Sequence, residues 1–268
     1  MKLAGVEVAI DWAAREGWNP GVNDAQCFYA IDPDGFFAGM LAGRQVASGA
    51  AMNYDGKFSF AGLYIVEPDC RGNGYGLSLT KALLDHAGDR NVGIDGVEAM
   101  ADRYAGLGFR AAHRTTRHNF TPTGVVGIPA EIVSLASVPF AELVAYDRRH
   151  FFAPRDRFLE LWIDQPHAVG WACMDADLLK GYGVLRKCRI GYKIGPLFAE
   201  TTEIAQSLLA ALSNHAVGER VSIDIPEPNE AANSLVTKYT MTPDFTCLRM
   251  YSRGDPGLPL QSIFGNTT

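Results

Sequence analysis

Arg71-Gly-Asn-Gly-Tyr-Gly-Leu77 is the stretch of this chain whose residue types and spacing could hold a reactive ligand. It follows an apolar run, Leu63 to Val66, that Pro68 stops, and it leads into leucines at 77, 79, 83 and 84. The pattern is a strand, a glycine-rich turn and a helix. Glycines delivered by a strand to the mouth of a helix make an anion site. The first-turn N–H groups point outward, the helix dipole is positive there, and glycine lets a phosphate approach the backbone. Spacing separates the phosphate loops. A Walker loop ends in Gly-Lys-Ser/Thr, whereas Gly74 and Gly76 are followed by Tyr75 and Leu77, with Lys81 a full turn late. A dinucleotide fingerprint starts directly after its strand and needs a glycine where this chain has Leu77.

What stands here is Arg71-x-x-Gly74-x-Gly76 after a Val-x-Pro strand end. It resembles the pyrophosphate loop of the GNAT N-acetyltransferases, and the resemblance implies acetyl-CoA as co-substrate, with no metal. The cofactor contacts it implies are Val66, Arg71, Gly72, Asn73, Gly74, Tyr75, Gly76 and Leu77, with a backbone N–H of Val66 or its neighbour facing the acetyl carbonyl. Tyr104-Ala-Gly-Leu-Gly-Phe109 resembles the family's Tyr-x-x-x-Gly-Phe run, which implies Tyr104 as the catalytic general acid. A phenol with a pKa near ~10 can protonate a thiolate whose acid lies near ~8.5 and still be un-ionised at neutral pH. Packing before a turn is the competing role for Tyr104. Val97 departs from the pattern, standing where the family commonly has an asparagine.

The resemblance also implies that the segment joining the first two helices walls the acceptor pocket. In Glu16-Gly-Trp18-Asn-Pro-Gly-x-x-Asp24 an aromatic ring and carboxylates suit a cationic amine. A local role is equally sufficient, with Gly17 ending one helix and Asp24 capping the next. No general base is readable. Glu16, Asp24, Asp95 and a water chain all stay open, and the acceptor residues are therefore expected among Glu16, Trp18, Asp24 and Asp95.

The elements that must position these residues follow from periodicity. Helices are expected over Val6–Trp18 and Ala25–Ala30, strands over 36–41, 46–54 and 57–66, a helix to His86, a strand 92–97, a short helix near 98–107 and a strand 110–120. This is the GNAT order without its opening strand. After a turn-rich linker at 121–129 the pattern starts again, with helices over 140–151, 157–163, 202–215 and 230–239 and strands at 132–135, 168–174, 183–188, 192–198, 221–225 and 246–251. Ala82–Asp95 aligns without gaps on Ala211–Asp224, seven of fourteen residues identical, which reads as an internal duplication. The same offset sets Arg71 opposite Glu200, Gly74 opposite Glu203 and Gly76 opposite Ala205, so like charges would repel a pyrophosphate in the second copy. Arg148-Arg149-His150 and Arg186-Lys187-x-Arg189 read as solvated faces.

The expected fold is α/β, two tandem GNAT-like domains, each a mixed, mostly antiparallel sheet flanked by helices. The domains are 1–122, which binds acetyl-CoA, and 126–253, which lacks the loop, with a tail at 254–268. Composition agrees with a globular chain: 268 residues, 47% hydrophobic and 20% charged. A net charge of −6 argues against a nucleic-acid partner, and five cysteines without a C-x-x-C pair read as free thiols. No run reaches membrane length and no basic, apolar leader opens the chain, so a cytoplasmic location without a membrane partner is expected. A homodimer is compatible with this reading. The function implied is acetyl transfer from acetyl-CoA to a primary amine of a small molecule. A non-catalytic acyl-CoA-binding or ligand-sensing protein, and a protein-lysine acetyltransferase, stand as alternatives.

Overall fold

The structure, a computed structural model, describes residues 1–267. The first half contains α1 (Leu3–Arg15), α2 (Asp24–Tyr29), β1 (Phe36–Leu41), β2 (Arg44–Asn53), β3 (Phe58–Val66), α3 (Tyr75–Ala87), β4 (Asn91–Val97), α4 (Ala101–Gly106) and β5 (Arg110–Phe120). The second contains β6 (Ile132–Ser134), α5 (Phe140–Asp147), α6 (Asp156–Asp164), β7 (Val169–Asp175), β8 (Leu178–Lys187), β9 (Tyr192–Ala199), α7 (Thr202–Ser213), β10 (Val221–Pro226), α8 (Glu230–Lys238), β11 (Thr242–Tyr251) and β12 (Ile263–Gly265). The α/β class and the mostly antiparallel sheet are as expected. No strand precedes α1 among the described residues, so β6 has no counterpart in the first half.

All the strands join one sheet in the order β1-β2-β3-β4-β11-β5-β10-β9-β8-β7-β6, with β12 beside β9. This order reads the same from either end of the β11/β5 pair: β4 mirrors β10, β3 mirrors β9, β2 mirrors β8 and β1 mirrors β7. Among the described residues the only parallel pairings are β3 with β4 and β9 with β10, and they occupy mirrored places. The duplication seen in the letters is thus a duplication in space, with a twofold pseudo-axis between β5 and β11.

Two expectations need correction. The second half is not a self-contained unit over 126–253, because each half lends its last strand to the other. β11 lies between β4 and β5, while β5 pairs with β10. An alternating strand fits either neighbour equally well, and long-range register decides. Nor is 254–268 a tail. Asn229 Nδ2 donates to the carbonyl of Ile263 at 3.0 Å, β12 pairs with β9, and Phe264 is fully buried.

Apolar faces of the helices close the core on both halves. α3 packs Leu79 and Leu83 on Ala47 and Ala51 of β2, and α7 sets Leu208, Leu209 and Leu212 against β8 and β9. Gly49 gives α3 close access to β2, since a Cβ there would come within 2.9 Å of Leu83 and push that side chain aside.

Candidate active site

β3 and β4 run side by side only as far as Ala61 and Ile94. Beyond that pair they part. Gly62–Val66 stays on β2, Asp95–Val97 stays on β11, and a wedge opens between them. A bulge drives the divergence: three steps of β3, Gly62 to Ile65, span two steps of β2, and Leu63 takes the left-handed conformation at φ 50°. Ser48 Oγ donates to the carbonyl of Leu63 at 3.1 Å and holds the bulge.

The loop sits at the mouth of this wedge. Gly72 and Gly74 adopt φ 81° and 83°, where a side chain would be strained but would otherwise meet open space. No protein acceptor reaches the amide N–H groups of residues 72–77 among the described residues, and Gly74, in the cap position before α3, offers no side chain. Six consecutive donors at the positive end of a helix fit a diphosphate. Arg71 uses its side chain differently: Nε donates to the carbonyl of Val66 at 2.8 Å and Nη2 to Glu16 at 2.7 Å. The guanidinium braces the end of β3 against the end of α1, and the Arg71 amide donates to the carbonyl of Pro68 at 3.4 Å. Asn73 Nδ2 donates to the carbonyls of Cys70 and Arg71, both at 3.2 Å, and stiffens the turn.

Tyr104 packs on Gly96, where a Cβ would approach its ring to 2.7 Å. Its hydroxyl makes no hydrogen bond among the described residues, and burial, with Tyr64 and Cys247 nearby, raises its pKa. A free, protonated phenol is what a general acid needs. Tyr64 lies under the loop, its hydroxyl accepting from Thr80 Oγ1 at 3.2 Å and resting where Gly76 leaves room. Successive strand residues face opposite ways, so Tyr104 lies on one side of β4 while Asp95 and Val97 project on the other.

On that other side the expected acceptor residues separate. Trp18 packs with Trp12, Ala13 and Ile65 beside the parted end of β3. Asp95 stands one residue past the last β3–β4 pair, its carboxylate taking Arg249 Nε at 2.6 Å and Nη2 at 2.9 Å. Glu16 is held by Arg71. Asp24 does not face a pocket: it is buried, takes Arg186 Nε at 2.8 Å and Nη2 at 3.1 Å, and accepts from the amide of Gly21 at 2.7 Å. Burial opposes its ionisation, but Arg186 prevails and its pKa is lowered. Arg186 is correspondingly no solvated residue. It is buried over the ring of Trp162, and His150 of the other basic run is buried between Tyr146 and Phe198.

The mirrored place in the second half is built shut. The gapless offset breaks before α7, because β9 reaches α7 through Glu200 and Thr201 alone where β3 reaches α3 through residues 67–74. Thr201 Oγ1 caps α7 by accepting from the amide of Ile204 at 3.4 Å, and Glu200 is paired with Lys180 at 3.1 Å. β9 and β10 part after Ile194 and Ile223, as β3 and β4 do, but β12 fills the gap. The amide of Asn266 donates to the carbonyl of Asp224 at 2.8 Å.

Sequence reasoning missed Arg117, Lys193 and Arg249. The one signal for them was the repeated Ile-Asp of Ile94-Asp95 and Ile223-Asp224, each Asp taking an arginine directly across the sheet.

Comparison with known proteins gives the same assignment. Residues 6–109 match the acetyltransferase (GNAT) family, and residues 143–265 match an acetyltransferase (GNAT) domain. The chain is 30% identical over 258 residues to Holothin acyltransferase from a Pseudoalteromonas species, covering 93% of this chain and 85% of that protein. The chain belongs to the GNAT family. It is a tandem GNAT acyltransferase, of a family that uses acetyl-CoA or another acyl-CoA. A putative acetyltransferase from Pyrococcus horikoshii shares the fold at a TM-score of 0.85 with 19% identity, over 100% of this chain and 92% of that one. A tandem GNAT protein from the clavulanic acid biosynthesis pathway shares it at 0.64 with 15% identity, over 96% and 98%. No helix among the described residues is long and apolar enough to cross a membrane.

Proposed function

We propose that this GNAT protein transfers an acetyl group from acetyl-CoA to a primary amine of a small molecule, at the first-half wedge alone. The observation that carries the reading is the meeting, at the parting of β3 and β4, of six unpartnered loop amides and the unbonded hydroxyl of Tyr104. The relative named Holothin acyltransferase supports acyl transfer as the reaction.

The amides of residues 72–77 would hold the diphosphate, and the exposed edge of Gly62–Val66 would supply a backbone donor to the acetyl oxygen. Acetyl-CoA supplies an activated thioester carbonyl. Tyr104 gives its proton to the sulfur as the carbon–sulfur bond breaks and the new carbon–nitrogen bond forms. The amine would give up its own proton to solvent water on the Asp95 side of β4, and solvent would return a proton to Tyr104. Arg249 keeps the Asp95 carboxylate in place, so Asp95 orients the amine or a water beside it. Trp18 offers an aromatic face to the acceptor. A wall of residues 16–24, held at Glu16 by Arg71 and at Asp24 by Arg186, would border the acceptor.

Thiol release from acetyl-CoA against a panel of amines, amino acids and lysine peptides tests this. Gly72→Glu with Gly74→Glu adds two carboxylates to the loop, each Cβ meeting open space though at a strained left-handed position, and it should abolish both acetyl-CoA binding and turnover. Retained binding in that variant would refute the site. Binding without turnover of any amine in the natural protein would refute the reaction.

A further inference from the structure

Trp18 lies between two residues in the left-handed region, Gly17 at φ 83° and Asn19 at φ 48°. The backbone turns twice there, and the second half holds it. Asn19 is bracketed by Ile190, donating from Nδ2 to its carbonyl and accepting at Oδ1 from its amide, both at 2.9 Å. The carbonyl of Trp18 takes two cations, Arg117 Nη1 at 2.6 Å and Lys193 Nζ at 3.5 Å. Arg117 is fixed in turn by Asp224, through Nε at 2.6 Å and Nη2 at 2.7 Å, and its guanidinium lies over the ring of Phe245. Lys193 is buried and forms no ion pair among the described residues.

A carbonyl needs one donor, and a water or a neutral side chain would satisfy it. Burying an ammonium that no carboxylate touches works against folding. What the two cations achieve is to fix the peptide plane of Trp18. They thereby fix the direction of an indole that packs with Trp12 and Ile65 beside the wedge.

We propose that Lys193 and the Asp224–Arg117 pair are positioning residues for the acceptor. They act through the Trp18 carbonyl, so that the half without a loop sets the acceptor affinity of the half that has one. This rests on the acceptor lying against Trp18 in the reaction proposed above.

Lys193→Met keeps the side-chain length and removes the donor. It should raise the acceptor KM about tenfold and leave kcat and the acetyl-CoA KM within about twofold of the natural protein. Lys193→Arg, which retains a cationic donor, should recover most of the loss. Trp18→Ala should raise the same KM, and adding Lys193→Met to it should change nothing more, because the two act in series. A second readout needs no turnover. In full-length protein labelled with 5-fluorotryptophan, the Trp18 resonance, assigned with Trp18→Phe, should shift or broaden in Lys193→Met and in Asp224→Asn while those of Trp162 and Trp171, which lie away from it, stay put. An unmoved Trp18 resonance, an unchanged acceptor KM in an active enzyme, or additive losses in the double variant would overturn the proposal. Intact acetyl-CoA binding with no turnover of any amine would instead mark failure of the acyl-transfer reading.

Discussion

Arg249 of β11 lies directly across the sheet from Asp95 of β4 and grips it through two hydrogen bonds, and Arg117 of β5 grips Asp224 of β10 in the mirrored place. In each pair the arginine is buried and the carboxylate keeps about a fifth of its surface, 19% for Asp95 and 21% for Asp224. Each pair joins one half of the chain to the other. Removing one member strands a buried charge, whereas replacing both removes the need for pairing. Asp95→Leu, which strands the buried guanidinium of Arg249, should therefore cost about 3–5 kcal/mol, and Asp95→Leu with Arg249→Met far less. Urea unfolding of the two variants gives the comparison, and equal losses would mean that lost packing rather than a stranded guanidinium sets the cost.

The exchange of β5 and β11 makes a prediction about fragments. Residues 1–122 alone leave β4 and β5 without the strand that separates them, and both long edges become exposed and sticky. That fragment should aggregate or unfold by itself and should form a soluble complex when produced together with residues 123–268. A monomeric 1–122 fragment with protected β4 and β5 amides would show that the halves can close on themselves.

These two relationships also show where the sequence stops being informative. The loop was readable because its glycines, proline and arginine act within a few residues of one another, and local chemistry leaves local spacing. The duplication was readable because Leu83 and Leu212, or Ala87 and Ala216, fill the same buried positions in the two halves. The exchange left no trace, since Thr242–Tyr251 alternates in the same way whichever strands flank it. Asp24 misled for a similar reason. Its sequence neighbours suit a helix cap, while the partner that claims it, Arg186, is 162 positions away. The sealed second wedge was expected from Glu200 and Glu203. It arises instead from a shortened connection and from three residues near the end of the chain, Ile263–Gly265, that are too few to carry a pattern.

Tyr104 has a hydroxyl without a hydrogen bond among the described residues, and burial raises its pKa, so it stays protonated well above neutral pH. Tyr104→Phe should lower kcat by roughly 10²-fold and leave acetyl-CoA affinity unchanged. An unaltered kcat would reduce Tyr104 to the ring that packs on Gly96.

Lys193 ties stability to pH. Burial, reinforced by Arg117, holds its pKa down to about 8 from an ordinary 10.5. The unfolded chain then binds this proton more tightly than the folded one. Its contribution to stability is complete above the unfolded value and is lost as the pH falls through about 8. At pH 7 the charged, buried ammonium is a burden, so Lys193→Met should be more stable than the natural protein by about 1–3 kcal/mol. The gap should close as the pH rises from 8 to 10. Denaturant unfolding at several pH values measures it, and a variant less stable at pH 7 would mean that the Trp18 carbonyl and Asp224 compensate the charge in full. A stabilising change that weakens acceptor binding is the pattern expected when a strained feature is kept for its function.

One acyl-CoA per chain is the last expectation, and β12 is the reason. An extended ligand in the second wedge would have to displace the pairing of Ile263 and Gly265 with β9, the bond from Asn266 to Asp224, and the burial of Phe264. Burying a phenylalanine is worth about 1.5–3 kcal/mol by itself, and each hydrogen bond adds about 1 kcal/mol. Few amides are offered in return, because Thr201 already caps α7 at Ile204 and the connection is too short to cradle a diphosphate. Calorimetric titration with acetyl-CoA should saturate at one equivalent. Ending the chain after residue 258 should destabilise the second half without creating another site, since it opens the wedge but restores no loop. A second equivalent in the shortened chain would show that β12 alone had been excluding the ligand.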